Sequence, residues 1–209
     1  MSQEQRRPTT VYLMRHGQTE HNASGRLMGH RDVSLDETGL VQARTAASLL
    51  ASRPLRAIYT SDLQRARGTA EAVAGRLGLE PVPCPSLREV DVGEWEGLTR
   101  AEIERDYPEV IAALEKEPVR TKRPGGESFG QMESRVWKTL EEIAAAHPGE
   151  EVLVVSHGGP MRAVICRVLG LAWARRGRVA FQNCGILALI YDGAGGLRLE
   201  VPGWAVPHP

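Results

Sequence analysis

The sequence has little that would tie it to a membrane, to nucleic acid or to an oxidising compartment. No apolar stretch reaches about 18 residues, so no segment reads as a transmembrane helix. Met1 to Thr10 is polar and lacks the apolar centre of a signal peptide. Neither sign of charge is in excess: 26 Lys and Arg balance 26 Asp and Glu. A global field that would gather nucleic acid or an anionic membrane is therefore not expected, and any anion site must be a local cluster. Cysteines are few. Cys84, Cys166 and Cys184 are odd in number and show no C-x-x-C spacing, which predicts reduced thiols in a cytoplasmic protein. The six histidines include no H-x-x-x-H pair, so no metal site is expected. Internal repeats and low-complexity segments are also missing.

What remains is ordinary globular material. The chain has 209 residues, 42% apolar and 25% charged. At this size a folded chain buries roughly 70% of its unfolded surface, enough for a core without staples. Disordered, collagen-like and disulfide-miniprotein classes are excluded. We expect one domain over 11–201, with loose tails at 1–10 and 202–209.

Hydrophobic period places the elements. Val11-Tyr12-Leu13-Met14 predicts a buried strand running into Arg15-His16-Gly17. Leu40, Ala43, Ala47 and Leu50 share a helical face, in a helix from Asp36 or Thr38 to about Ser52. Ala57 to Thr60 reads as a second strand. Ser61, with Gln64 three residues on, reads as the N-cap of a helix ended by Gly78. Glu80 to Gly97 gives no clear element. Short helical pieces are expected between Thr99 and Lys116, and a basic loop over Val119 to Glu127. Phe129, Met132, Val136, Leu140 and Ile143 form the stripe of a long helix over Ser128 to Ala146. Glu151 to Ser156 reads as a strand buried on both faces, followed by a helix near Pro160 to Leu169. Ile186 to Tyr191 and Leu197 to Val201 read as two closing strands. Alternating strands and helices predict a three-layer α/β/α fold with a mainly parallel central sheet. The stretch at about 98–127 fits worst and is expected to be a small inserted flap.

In such a sheet, ligands bind beyond the carboxyl ends of the strands. Three of those ends carry cations or imidazoles: Arg15-His16-Gly17, Ser61 through Arg65, and Ser156-His157-Gly158-Gly159. Two arginines, two histidines and helix N-termini would meet on one edge, a pocket for a phosphoryl dianion. A largely neutral imidazole could attack phosphorus, arginines could steady the equatorial oxygens, and a carboxyl group could protonate the leaving alkoxide. Glu89 is one candidate for that carboxyl. Asp91, Glu94 and Glu96 compete, and spacing does not choose among them, nor between His16 and His157 as nucleophile.

The run Leu13-Met14-Arg15-His16-Gly17-Gln18-Thr19-Glu20-His21-Asn22 resembles the signature of the histidine phosphatase superfamily, the phosphoglycerate mutase-like proteins. The resemblance continues in order through Asp32 to Gly39, Ser61-Asp62-Leu63-Gln64-Arg65-Ala66, Glu89 with Gly93-Glu94-Trp95-Glu96-Gly97, Pro124-Gly125-Gly126-Glu127-Ser128 and Ser156-His157-Gly158-Gly159. It implies that His16 is the nucleophile and forms a phosphohistidine. Arg15, Arg65, His157 and Gly158 would bind the phosphoryl group, with Asn22 adding an amide donor. Glu89 would serve as general acid, then as general base. The resemblance implies no metal and no organic cofactor. The expected partner is a small phosphorylated substrate, not nucleic acid or membrane, and the chain could pair as a homodimer.

Two positions depart from the pattern. Family phosphatases often carry glutamine where Met28 stands and tryptophan where His21 stands. Met28 cannot donate to phosphate, so that contact is lost or replaced by an apolar wall, which bears on substrate identity. The short chain and the sparse basic residues of the flap, Arg120, Lys122 and Arg123, resemble the phosphatase branch more than the mutases, which carry a longer arginine-rich insertion. The expected function is phosphomonoester hydrolysis. The alternatives are mutase-type phosphoryl transfer and a non-catalytic phosphoryl-binding protein. Several residues have plainer readings: Asn22 as a turn former, Arg120, Lys122 and Arg123 as a solvated loop with a second anion contact as the sharper reading, His21 and His30 as loop surface, Trp95, Trp137 and Cys166 as packing.

Overall fold

The computed structural model describes residues 8–173, 175, 179–193 and 196–200. The expected tails fall mostly outside them, except that the first strand begins at Thr9, two residues earlier than its apolar run. Six strands form one sheet: β1 (Thr9–Arg15), β2 (Leu55–Thr60), β3 (Pro81–Pro83), β4 (Glu151–Ser156), β5 (Ile186–Tyr191) and β6 (Leu197–Glu200). Their order is β3-β2-β4-β1-β5-β6. The first four are mutually parallel, and β5 runs antiparallel to both β1 and β6.

The two-residue period of each strand builds two cores. Val11 and Leu13 of β1, with Val152 and Val154 of β4, face α6 (Phe129–Ala146) and α7 (Gly158–Val168). Tyr12, Met14, Leu153 and Val155 face the opposite layer, α2 (Glu37–Leu50) and α3 (Gln64–Leu77). The fold is therefore the expected α/β/α sandwich. Val152 to Val155 are all fully buried, as a central strand covered on both faces requires.

Where the sequence reading departs from the structure, the causes are identifiable. β3 was not expected, because prolines stand at two of its three positions; it is tolerated as an edge strand, where missing N–H groups cost no ladder bond. Ser61 is not a cap. The cap position of α3 is Leu63, and the orphan N–H of Gln64 is met by Asp32 Oδ1 from a distant loop at 2.7 Å. Asp36 does cap α2, accepting from Gly39 N at 2.7 Å, and the helix ends at Leu50 rather than Ser52. The inserted flap carries α4 (Arg100–Asp106) and α5 (Pro108–Lys116), and it walls a cavity above the strand ends rather than covering a sheet face. A single turn, α1 (Glu20–Ala23), follows β1. Among the described residues no helix is long and apolar enough to cross a membrane.

Topology positions the site. β1 and β4 are neighbours, yet the long helices that follow them, α2 and α7, lie on opposite faces. The chain thus opens a crevice at their shared carboxyl edge. Arg15 pairs with Ser156 at the last rung, and the ladder continues into His16 N to Ser156 O (3.0 Å) and Ser61 N to Val155 O (2.9 Å).

Candidate active site

His16 and His157 leave adjacent strands at that edge. Their rings meet edge-on with centroids 5.1 Å apart. His16 Nδ1 lies 2.7 Å from Gly17 O. A carbonyl only accepts, so Nδ1 carries the hydrogen and Nε2 of the neutral ring holds a lone pair. His157 Nε2 lies 2.8 Å from Ser61 Oγ, and Nδ1 is buried without a partner. With the Ser61 hydroxyl donating to Nε2, Nδ1–H is left as a donor. Both rings are almost wholly buried. Burial first, then the nearby arginines, holds both well below the ordinary imidazole value of 6.5: Arg65 and Arg15 act on His16, and Arg65 with His16 on His157.

Two guanidiniums complete the inner wall. Arg65, fully buried in the first turn of α3, donates to Arg31 O and Gly29 O, each at 2.8 Å. Burial pushes its pKa down to about 10, so it is cationic at neutral pH. Arg15 donates to Phe181 O at 2.7 Å. Nε of each is buried with no partner. Buried cations with unspent donors are costly unless an anion meets them, so the donor set fits an incoming phosphoryl group.

Asn22 both holds a turn and lines the cavity. Its Oδ1 accepts from Thr19 N (3.2 Å) and Asn183 Nδ2 (3.3 Å), which leaves its amide NH2 for the cavity. Gly158 starts α7, where the first N–H groups have no helical partner. Without a side chain it lets Arg15 Nε stand 3.5 Å from where a Cβ would be.

Geometry chooses among the four acids. Glu89 lines the cavity, its oxygens held by Val90 N at 2.8 Å and Gly159 N at 3.0 Å. Gly159 is required there, since a Cβ would collide with Glu89 Oε1. Asp91 instead accepts from Gly93 N, Glu96 from His30 N, and Glu94 from the Tyr107 hydroxyl. The cavity, about 500 Å3, also takes Met28, whose sulfur accepts from Thr19 Oγ1 at 3.3 Å. Met28 is thus the apolar wall rather than a bare loss.

Other roles were not legible. The basic loop divides: Arg120 and Lys122 line a separate open groove, whereas Arg123 is buried with its guanidinium 3.8 Å over the Phe129 ring, at the cavity. His30 is not loop surface; its Nε2 sits 2.9 Å from Glu89 O. Arg162, on the cavity wall, falls one helical turn after Gly158, a spacing that could have flagged it. Arg135 had no local signal. It binds the carbonyls of Ser86 and Arg88 (2.8 Å each) and of Glu89 (2.7 Å), and pairs with Glu127 at 2.6 Å. Glu127 in turn takes Asp91 N at 2.9 Å. The Pro124-to-Ser128 motif and α6 thereby clamp the loop that presents Glu89.

Two expectations follow from these contacts. In the free enzyme His16 and His157 should stay neutral at pH 6, read by ring 15N shifts; a ring titrating near 6.5 would contradict the burial argument. Because the unfolded chain gains protons first as pH falls through 6.5, stability should drop below that value as the pH moves toward the depressed native values. For the clamp, Arg135→Met should lower kcat on alkyl phosphates about tenfold with little change in KM. On a Glu89→Gln background the same change should cost almost nothing further, because the clamp acts through Glu89. An equal cost on both backgrounds would mark Arg135 as merely structural.

Comparison with known proteins supplies the family. Residues 11–201 match the histidine phosphatase superfamily (branch 1). A metal-independent phosphoserine phosphatase of Arabidopsis thaliana is 41% identical over 77% of this chain and 68% of its own length. Phosphoserine phosphatase 1 of Hydrogenobacter thermophilus is 38% identical over 77% and 76%. A mycobacterial glucosyl-3-phosphoglycerate phosphatase, solved with VO3, superposes with a TM-score of 0.80 at 31% identity, covering 95% of this chain and 99% of that one. The chain belongs to the histidine phosphatase superfamily, branch 1, and is a phosphatase.

Proposed function

We propose that this chain hydrolyses small phosphomonoesters through a phosphohistidine on His16. The observation that supports it most strongly is the set of buried donors without partners, Arg15 Nε, Arg65 Nε and His157 Nδ1, on the edge where His16 keeps a free Nε2. In the first step His16 Nε2 forms the N–P bond as the ester P–O bond breaks, and the leaving oxygen takes the proton of the Glu89 carboxyl. Arg15, Arg65, His157 Nδ1–H, the Gly158 N–H and the Asn22 amide hold the three remaining phosphoryl oxygens. In the second step Glu89, now a carboxylate, takes a proton from water as that oxygen attacks phosphorus. The N–P bond breaks, its electron pair returns to His16, and inorganic phosphate leaves with Glu89 reprotonated.

The cavity volume suits a metabolite-sized ester. The relatives point to phosphoserine and to an ester of phosphoglycerate, so phosphorylated three-carbon acids lead the candidates. The test is phosphate release from p-nitrophenyl phosphate and from a monoester panel without added metal, alongside 3- to 2-phosphoglycerate conversion with a bisphosphate primer. Phosphate release without conversion supports hydrolysis; efficient conversion overturns it in favour of a mutase.

A further inference from the structure

The phosphoryl group uses Arg15 and Arg65, and one cation on the same wall is left over. Arg162 extends from α7 into the cavity. Its Nε donates to Val179 O at 3.1 Å, which sets the plane of the guanidinium, and among the described residues its Nη groups have no hydrogen-bond partner. Nη1 lies 3.6 Å from the point where a Cβ of Gly158 would stand, and Arg15 Nε lies 3.5 Å from that same point. Two guanidiniums therefore flank one glycine; burial does most to lower the Arg15 pKa, Glu89 opposes it, and Arg162 adds a smaller lowering. The helix N-terminus adds a third unfavourable positive field.

Among the described residues nothing negative pairs with Arg162. The other arginines of the cavity differ: Arg26 pairs with Glu102 at 3.3 Å, Arg100 with Glu104 at 2.5 Å, and Arg123 lies over Phe129. An uncompensated cation held beside another is unfavourable until an anion bridges them. One guanidinium balances one negative charge, whereas the inner site meets a dianion with two. The rest of the cavity wall includes the apolar Ile111, Leu114 and Phe129 beside Arg26, Arg100 and Arg123, whose guanidiniums are already engaged.

We infer that Arg162 binds a carboxylate of the substrate, so that the enzyme selects phosphorylated carboxylic acids over uncharged analogues. The inference rests on the phosphomonoesterase reading and assigns a residue to substrate choice within it. The planar fork of arginine matches a carboxylate, and a charge-assisted bond next to a desolvated site discriminates strongly against a substrate that lacks the group.

The experiment compares kcat/KM within two pairs: O-phosphoserine against O-phosphoethanolamine, and 3-phosphoglycerate against glycerol 3-phosphate, with p-nitrophenyl phosphate as a reference that has no carboxylate. The wild type should prefer the carboxylate member by about 10- to 100-fold. Arg162→Met should bring both ratios near one, mainly through the carboxylate member, and Arg162→Lys should restore part of the preference. Ratios near one in the wild type, with p-nitrophenyl phosphate still turned over, overturn the inference and leave the hydrolase reading intact. An equal loss on both members in Arg162→Met also overturns it, by assigning Arg162 to the phosphoryl group. No turnover of any substrate by the wild type would refute the hydrolase reading and the inference together.

Discussion

Replacing His16 by alanine is expected to lower kcat for p-nitrophenyl phosphate about ten-thousand-fold or more, because it removes the only group proposed to bond to phosphorus. The protein has fixed the imidazole for that task. Nδ1 is committed to Gly17 O, and Gly17 N is itself held by Thr69 Oγ1 at 3.0 Å, so the ring is presented through Nε2. Burial and two guanidiniums keep the ring neutral, which preserves the attacking lone pair without a separate base. The same guanidiniums then face the charge of the phosphoryl group. Rapid quench with a radiolabelled ester should trap an acid-labile, base-stable label on wild type and none on His16→Ala. Thermal melts of the two should show whether the variant is folded, since the alanine opens a small cavity and leaves Gly17 O unpaired. A folded His16→Ala that still turns over at a wild-type rate would remove His16 from the mechanism.

The parts of this site that could be read from the sequence are those whose positions follow from strand ends. Arg15, His16 and His157 sit at the carboxyl termini of β1 and β4, and a parallel α/β pattern is enough to bring such ends together. Arg65 follows the same rule through the loop after β2. The long helix α6 was legible because its apolar stripe is local, and the structure adds a Ser128–Gln131 capping box at its start. What could not be read depends on contacts across the chain. Asp32 caps a helix that starts 32 positions later. Arg135 recognises backbone carbonyls about 46 to 49 residues earlier, which no side-chain pattern encodes. The acid was ambiguous for a related reason. Four carboxylates share one short glycine-punctuated segment, and only the fold of that segment against α7 and α6 turns Glu89 toward the cavity and the others into backbone or tyrosine contacts. The flap was recognised by its failure to fit the strand–helix rhythm, yet its role as cavity wall follows from three-dimensional placement of Ile111, Leu114 and Arg123.

Glu89→Gln should separate the two halves of the chemistry. With p-nitrophenyl phosphate the leaving phenolate needs little protonation, so forming the phosphoenzyme should slow only modestly. With an alkyl phosphate the leaving alkoxide must be protonated, and kcat should fall by about 100- to 1,000-fold. Val90 N holds Oε1 and Gly159 N holds Oε2, so glutamine keeps an acceptor for only one of the two, while Arg135 and Glu127 still hold the loop backbone as the ionisable proton is lost. The same substitution removes the base that activates water. Phosphoenzyme should therefore build up on the variant with the aryl ester, visible as a burst of p-nitrophenol followed by slow steady turnover. A log kcat plot against leaving-group pKa should be steeper for the variant than for wild type. Parallel plots, with the same loss on aryl and alkyl esters and no burst, would mean that Glu89 only shapes the cavity, and the proton would then have to come from the substrate or from solvent.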